Sequence, residues 1–192
     1  MSQAQYSTAF AHLLSSGATV WAIRSLRSNS FYHSSWAYGT LGAFLVNSTV
    51  GVLRYGNPEY GHKVASLGKN TLLLSLCVGL PCATAELWLF HGYRPEVAYA
   101  HLGFALLPLV AHAYRRHSVH RVLDGVTLGM VASLALVGFL EGNHYAVALA
   151  CSYAVNHFLI TTTGYLFDSV PALDLFHYGL CFFNFFLVKA LY

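Results

Sequence analysis

Apolar residues run through this chain in long blocks, and polar residues gather in short stretches between them. Seven blocks stand out, at roughly 6–23, 35–53, 71–90, 97–114, 121–140, 144–164 and 172–191. Each is close to the about 20 residues that an α-helix needs to cross the hydrocarbon core of a bilayer. The third, fifth and seventh are the most apolar. The first is diluted by Ser7, Thr8, His12, Ser15, Ser16 and Thr19. Between the blocks lie RSNS (27–30), YGNPEYG (55–61), HGYRPE (91–96), EGNH (141–144) and FDSVP (167–171). Their Asn, Gly and Pro residues favour turns, and the last proline suits the first position of a helix. Such short connections make consecutive helices antiparallel neighbours. The pattern predicts an all-α, polytopic membrane bundle of about seven transmembrane helices, with six as the alternative, forming one domain over residues 1–192. No internal repeat is evident, which argues against a transporter built on inverted repeats.

Composition agrees. Of 192 residues, 56% are hydrophobic and 9% charged, with a mean hydropathy of +0.53. Soluble domains average about 25% charged residues, so this chain cannot cover a water-facing surface. MSQAQYSTAFAHLL (1–14) has no basic n-region, so the first helix is expected to serve as its own insertion signal. The formal net charge is +3, spread over short loops without an aromatic-interleaved basic surface, so no nucleic-acid partner is expected. Cys77, Cys82, Cys151 and Cys181 lie in apolar stretches with no CxxC pair, and read as small buried residues rather than zinc ligands or a disulfide framework. Walker, GxSxG, HExxH and Rossmann motifs are absent. No cofactor and no metal are expected.

The chemistry-bearing candidates are the polar residues inside the spans, where ionisable groups are costly. Glu86 sits about one turn from the end of the third span. It reads either as a proton-linked or headgroup-contacting carboxylate or as an interfacial residue reaching water, with His91 and His101 as possible partners. His101, Ala105, Pro108 and His112 return to one helical face. The two histidines are about 16 Å apart along a helix, too far to share a metal, so a polar seam is expected. In the last span, Asp174, His177, Cys181, Asn184 and Val188 form a stripe beside Phe176, Leu180, Phe183 and Leu187, the second stripe suiting lipid or an apolar helix. Asp174 and His177 read as a carboxylate–imidazole pair, or Asp174 as a favourable charge at a helix start. Asn47, Asn156 and His157 are expected to bond to this face across helices. Gly125, Gly129 and Ser133, four apart, allow close approach of another helix. Trp21, Tyr32, Trp36, Trp88, Tyr93, Tyr165 and Tyr192 fall near span ends, as interfacial anchors do.

The most polar stretch is AHAYRRHSVHRVLDG (111–125). Its first residues finish the fourth helix, RRHSVHR reads as a surface loop, and Asp124 falls in the first turn of the fifth helix, where the dipole favours it. Arg115, Arg116, His117, His120 and Arg121 are expected to contact lipid headgroups, each arginine contributing about 1 kcal/mol near anionic lipid. Placing the N-terminus inside puts Arg54, Lys63, Lys69, Arg115, Arg116 and Arg121 on the cytoplasmic side, against Arg24, Arg27, Arg94 and Lys189 outside.

QYSTAFAHLL (5–14), GLPCATAELWLFHG (79–92) and SVHRVLDGVTLGMVASLALVGF (118–139), taken in order, resemble the transmembrane protein 276 family of small multi-pass proteins. The likeness runs over most of the chain. It rests on a Ser-Thr-Ala opening, a Gly-Leu-Pro in the third span, and an acidic residue, Glu86, five positions after that proline. It implies an all-helical membrane fold and assigns no activity and no site residue.

These observations point to a non-enzymatic membrane subunit or scaffold, in the endoplasmic reticulum, whose partners are membrane lipids and other membrane proteins and which contacts or handles phospholipid. The alternative is an intramembrane lipid-metabolising enzyme or small carrier using the buried His, Glu and Asp residues. Scanning with glycosylation tags tests the topology: C-terminal but not N-terminal tags should be modified. The sequon Asn47-Ser48-Thr49, inside the second span, should stay unglycosylated. Modification of N-terminal tags alone would invert the orientation.

Overall fold

A computed structural model describes residues 3–28, 35–114, 119–160, 162, 164–166 and 170–192. Helix α1 spans Gln3–Ser28 and α2 Ser35–Gly56, followed by a single turn, α3, at Pro58–Gly61. Then come α4 (Ala65–Phe90), α5 (Pro95–Ala113), α6 (Val119–Leu140), α7 (His144–Ala154) and α8 (Ala172–Ala190). Helix α7 runs on as a π-helical turn, Val155–Ile160. A two-residue antiparallel ladder, Tyr165–Leu166 with Val170–Pro171, precedes α8.

Each of the seven blocks of the hydrophobic pattern therefore holds a helix, the sixth over residues 144–160. Four of the helices, α4, α5, α6 and α8, are by length and composition long and apolar enough to cross a membrane. The chain is an all-α bundle of the membrane type. Its boundaries differ from the sequence reading at one informative place. Helix α6 begins at Val119, so His120 and Arg121 belong to its first turn rather than to a loop.

The seven long helices form a ring. Each packs on the next in sequence, α8 packs back on α1, and α4 also touches α6 behind α5. Tight turns make the antiparallel neighbours: Gly92 (φ 76°) and Gly142 (φ 64°) occupy the left-handed region that glycine enters without a side-chain clash. The closing contact, α8 on α1, is parallel, since Asp174 meets Ser7 near both N-termini and Tyr192 meets Ser25 near both C-termini.

On α1 and α2 many polar residues face inward and large apolar ones outward, unlike a helix on the surface of a water-soluble domain. On α1, Thr8, Ala11, His12, Ser15, Thr19, Ala22 and Leu26 share one buried face, while Phe10, Leu13, Leu14 and Trp21 point outward. On α2, Ala37, Thr40, Leu41, Phe44, Asn47 and Ser48 are buried, and Val46 and Leu53 are exposed. Small and polar residues inside, with large apolar ones outside, suit a protein whose solvent is lipid.

The apolar centre is organised by α8. The stripe Phe176, Leu180, Phe183 and Leu187 is buried against other helices and does not face lipid. The Phe183 ring packs edge-on against Phe44 of α2 (5.5 Å between centroids) and Tyr153 of α7 (5.3 Å). Phe44 in turn lies so close over Gly79 of α4 that a Cβ there would overlap its ring. All four cysteines are free thiols, with Cys77 and Cys82 buried and Cys151 exposed.

This packing makes a contrast between two positions. Replacing Leu180, 0% exposed, with Ala should lower unfolding stability in detergent micelles by about 2–5 kcal/mol through the cavity it leaves. Phe139→Ala, at a side chain 79% exposed, should change it by less than about 0.5 kcal/mol. Equal losses at the two positions would contradict the apolar centre around α8.

Candidate functional site

The π-helical turn forms one side of a large cavity. A π turn inserts an extra residue into a helix and re-aims the side chains that follow it. Here the turn is held from α8: Asn156 donates from Nδ2 to the Phe176 carbonyl (3.0 Å), and its amide rests where a Cβ at Gly179 would collide with it. His157 is thereby turned toward α6, where its Nε2 meets Asp124 Oδ1 at 2.9 Å. The imidazole is 9% exposed and the carboxylate 55%, so the pair has a buried and a solvated end. The Tyr153 ring stacks on the imidazole.

Beside this pair opens a cavity of about 530 Å³ between α4, α6, the π turn and α8. Lys69, His120, Asp124, His157 and Thr162 line its polar part, and Leu72, Leu73, Leu76, Leu123 and Phe176 its apolar part. A pocket with one charged end and one hydrocarbon wall matches the two-part chemistry of a membrane lipid.

A second polar concentration runs along the seam between α1 and α8. Asp174 accepts from Ser7 Oγ (2.5 Å) and Thr8 Oγ1 (2.6 Å). One turn on, the His12 and His177 rings lie 3.7 Å apart between centroids. Further along, Asn184 Nδ2 donates to Thr19 Oγ1 (2.9 Å), and Ser48 of α2 donates to Ser15 (3.1 Å). The expected Asp174–His177 pair is therefore not formed. The carboxylate is committed to α1 hydroxyls, and both ring nitrogens of His177 lack a hydrogen-bond partner among the described residues. Asn47 bonds to Thr71 of α4 rather than to α8.

Glu86 is also reassigned. Its Oε2 accepts from the backbone N–H of Trp36 (2.6 Å) and Ala37 (2.9 Å), and the residue is 1% exposed. It caps the N-terminus of α2 from a neighbouring helix, where orphan N–H groups and the helix dipole both favour a carboxylate. It is a buried cap, not an interfacial group reaching for water. His101 bonds to the Val97 carbonyl (2.7 Å) and Ser133 Oγ (2.6 Å), and Trp88 Nε1 donates to the same hydroxyl (2.9 Å). His91 instead lies by Glu141 (3.8 Å) and Asn143 (3.3 Å). Burial pushes its imidazole pKa down, against the opposing pull of Glu141.

His112 is exposed, so it does not join His101, Ala105 and Pro108 in a seam along α5. Gly125 and Gly129 have nothing within 4 Å of where a Cβ would be. They pack no helix of this chain and instead floor an open groove of about 420 Å³ with Arg121 and His101 on its walls. Of the expected headgroup contacts, Arg115, Arg116 and His117 lie outside the described residues. His120 and Arg121 diverge within one helical turn, His120 into the large cavity and Arg121 into the groove.

Several participants escaped the sequence reading. In the sequence Lys69 reads only as a topology charge. The Asp124–His157 pair is separated by 33 positions and depends on a π turn that hydropathy does not signal. Thr8, His12, Ser15 and Thr19 did carry a signal, since their spacing of four, three and four is one helical face. Comparison of the chain with protein-family models, with curated proteins and with solved structures gives no match.

The Glu86 cap is directly testable. Glu86→Ala orphans the buried N–H of Ala37 and the half-buried N–H of Trp36, and should cost about 1–3 kcal/mol at the first and less at the second. Glu86→Gln keeps an acceptor and should cost less. Thermal unfolding of the purified variants reads the difference, and an Ala variant as stable as the parent would remove the cap from the account.

Proposed function

We propose that this chain is a seven-span membrane protein of the endoplasmic reticulum, of the transmembrane protein 276 type. It holds a phospholipid and acts as a non-enzymatic subunit of a larger membrane complex. The observation that carries this reading is the amphipathic cavity of about 530 Å³. Lys69 supplies a cation for a phosphate, Asp124, His157, His120 and Thr162 supply hydrogen-bonding groups for the rest of a headgroup, and Leu72, Leu73, Leu76 and Phe176 supply an acyl wall.

Seven spans are supported by where α1, α2 and α7 keep their polar groups. With Thr8, His12, Ser15, Thr19, Asn47 and Asn156 buried, what α1, α2 and the π turn turn outward includes Phe10, Leu13, Val46, Leu53, Phe158 and Leu159. A role as a subunit is supported by the open face at Gly125 and Gly129, which small residues leave accessible to a partner helix.

Native mass spectrometry of the full chain, purified in mild detergent, tests the lipid. One phospholipid should be retained by the parent and lost on Lys69→Glu, and on Leu76→Trp, which fills the acyl wall. Equal lipid retention by all three proteins would sink the reading. The same preparation should carry stoichiometric protein partners.

The Asp124–His157 pair favours a second reading. A carboxylate-oriented imidazole beside an amphipathic cavity has the arrangement of a general base, which belongs to an intramembrane lipid-metabolising enzyme. His157→Gln separates the two. Loss of cellular rescue with lipid still bound supports the enzyme, and undiminished rescue removes it.

A further inference from the structure

The lining of the cavity of about 530 Å³ discriminates among headgroups. Its polar and apolar parts are ordered along the bundle. On α4, Lys69 stands near the helix start, and Leu72, Leu73 and Leu76 follow on the same side, the last about 10 Å deeper at the helical rise. On α6, Asp124 also lies near the helix start, at the same end of the bundle. The polar groups thus sit toward that end and the hydrocarbon wall toward the middle, the order in which a lipid presents its headgroup and its chains.

The polar part holds one ammonium and one carboxylate that are not paired with each other. Lys69 forms no ion pair among the described residues, and Asp124 forms only the one with His157. A carboxylate only accepts, so His157 donates from Nε2 to Oδ1 of Asp124. The second oxygen, Oδ2, has no hydrogen-bond partner among the described residues, and the carboxylate is 55% exposed. Lys69 is exposed as well.

Two separated, opposite charges complement a zwitterion. A phosphate on Lys69 and a cation on Asp124 satisfy both at no net charge. Glycerol and inositol headgroups bring the phosphate without the cation. A serine headgroup adds a carboxylate beside Asp124. A choline headgroup has the cation but no N–H, and quaternary ammonium ions are held by aromatic faces, of which the lining offers only Phe176 besides its imidazoles. A primary ammonium has three N–H donors, which Asp124 Oδ2 and the Thr162 hydroxyl can accept.

We propose that the cavity is selective for a zwitterionic phospholipid with a primary ammonium, of the ethanolamine class, its phosphate on Lys69 and its ammonium on Asp124. This rests on a phospholipid being the occupant, and it adds which headgroup is chosen and by which residue.

The test uses the full chain in mild detergent with an equimolar mixture of phosphatidylethanolamine, phosphatidylcholine and phosphatidylglycerol of matched chains, read by native mass spectrometry. The parent should retain phosphatidylethanolamine over each of the others by at least about tenfold, the scale of a hydrogen bond to a charged group. Retention should fall stepwise as the amine is mono- and dimethylated, a comparison that needs no variant. Asp124→Asn, nearly isosteric, should keep one phospholipid bound but let phosphatidylglycerol match phosphatidylethanolamine. One phospholipid retained by the parent and lost on Lys69→Glu, yet with no preference among the three headgroups, would overturn the ethanolamine assignment and leave an unselective lipid site. A parent that retains no phospholipid would overturn both.

Discussion

Thr8, His12, Ser15 and Thr19 occupy one face of α1, and a helix with that face turned to hydrocarbon would leave polar groups unpaired. The structure resolves this by laying the face on α8, whose Asp174, His177 and Asn184 stand at matching heights along a parallel pair. The match closes the ring. It joins the first helix to the last, draws α2 in through Ser48, and leaves α1 an outward surface of Tyr6, Phe10, Leu13 and Trp21. Because the alternative partner is lipid, even modest interhelical hydrogen bonds, about 0.6 kcal/mol each, specify which helices meet.

Once the ring is closed, its two ends differ in character. At the end formed by the C-termini of α1, α4, α6 and α8, polar groups tie backbone together. Glu86 caps α2, and Asn143 caps α7 through the Ala146 N–H (3.0 Å) while donating to the last turn of α8 at Ala190 (2.8 Å). Tyr93 donates to Glu141 (2.6 Å) across two turns, and Tyr192 to Ser25 (2.9 Å). At the other end polar groups also surround space: the cavity of about 530 Å³ at Lys69 and Asp124–His157, and the small one beside Arg54. Polar residues that look alike in composition thus fasten helices at one end, and at the other both fasten them, through Asp174 with Ser7 and Thr8, and line cavities.

Much of the fold was legible along the chain, because hydrophobic block length and turn residues report local physics. The seven blocks, the tight turns at HGYRPE and EGNH, and the two stripes of α8 all correspond to helices, turns and buried faces. The site was less legible. Glu86 reads as an isolated carboxylate near a span end until α2 is seen to begin beside it, since a cap from another helix has no sequence spacing. Gly125 and Gly129 have the spacing of a packing motif, yet no helix of the chain fills them, because the choice between self-packing and an open face depends on how α5 lies against α6. Asp174 and His177 are three residues apart and share a face, yet the carboxylate bonds sideways to Ser7 and Thr8, two donors that local spacing does not reveal.

The sequence by itself determined the solvent and the elements. A charged fraction of 9% and helix-length apolar blocks leave lipid as the surroundings and helices as the only way to satisfy the backbone there. The tertiary structure alone decided the partners: which polar residue meets which, which groups stay unpaired beside a cavity, and where a π turn sends His157. Periodicity fixes the face a side chain occupies on its own helix, whereas a partner is set by the heights and rotations at which helices meet, and those follow from packing of the whole ring.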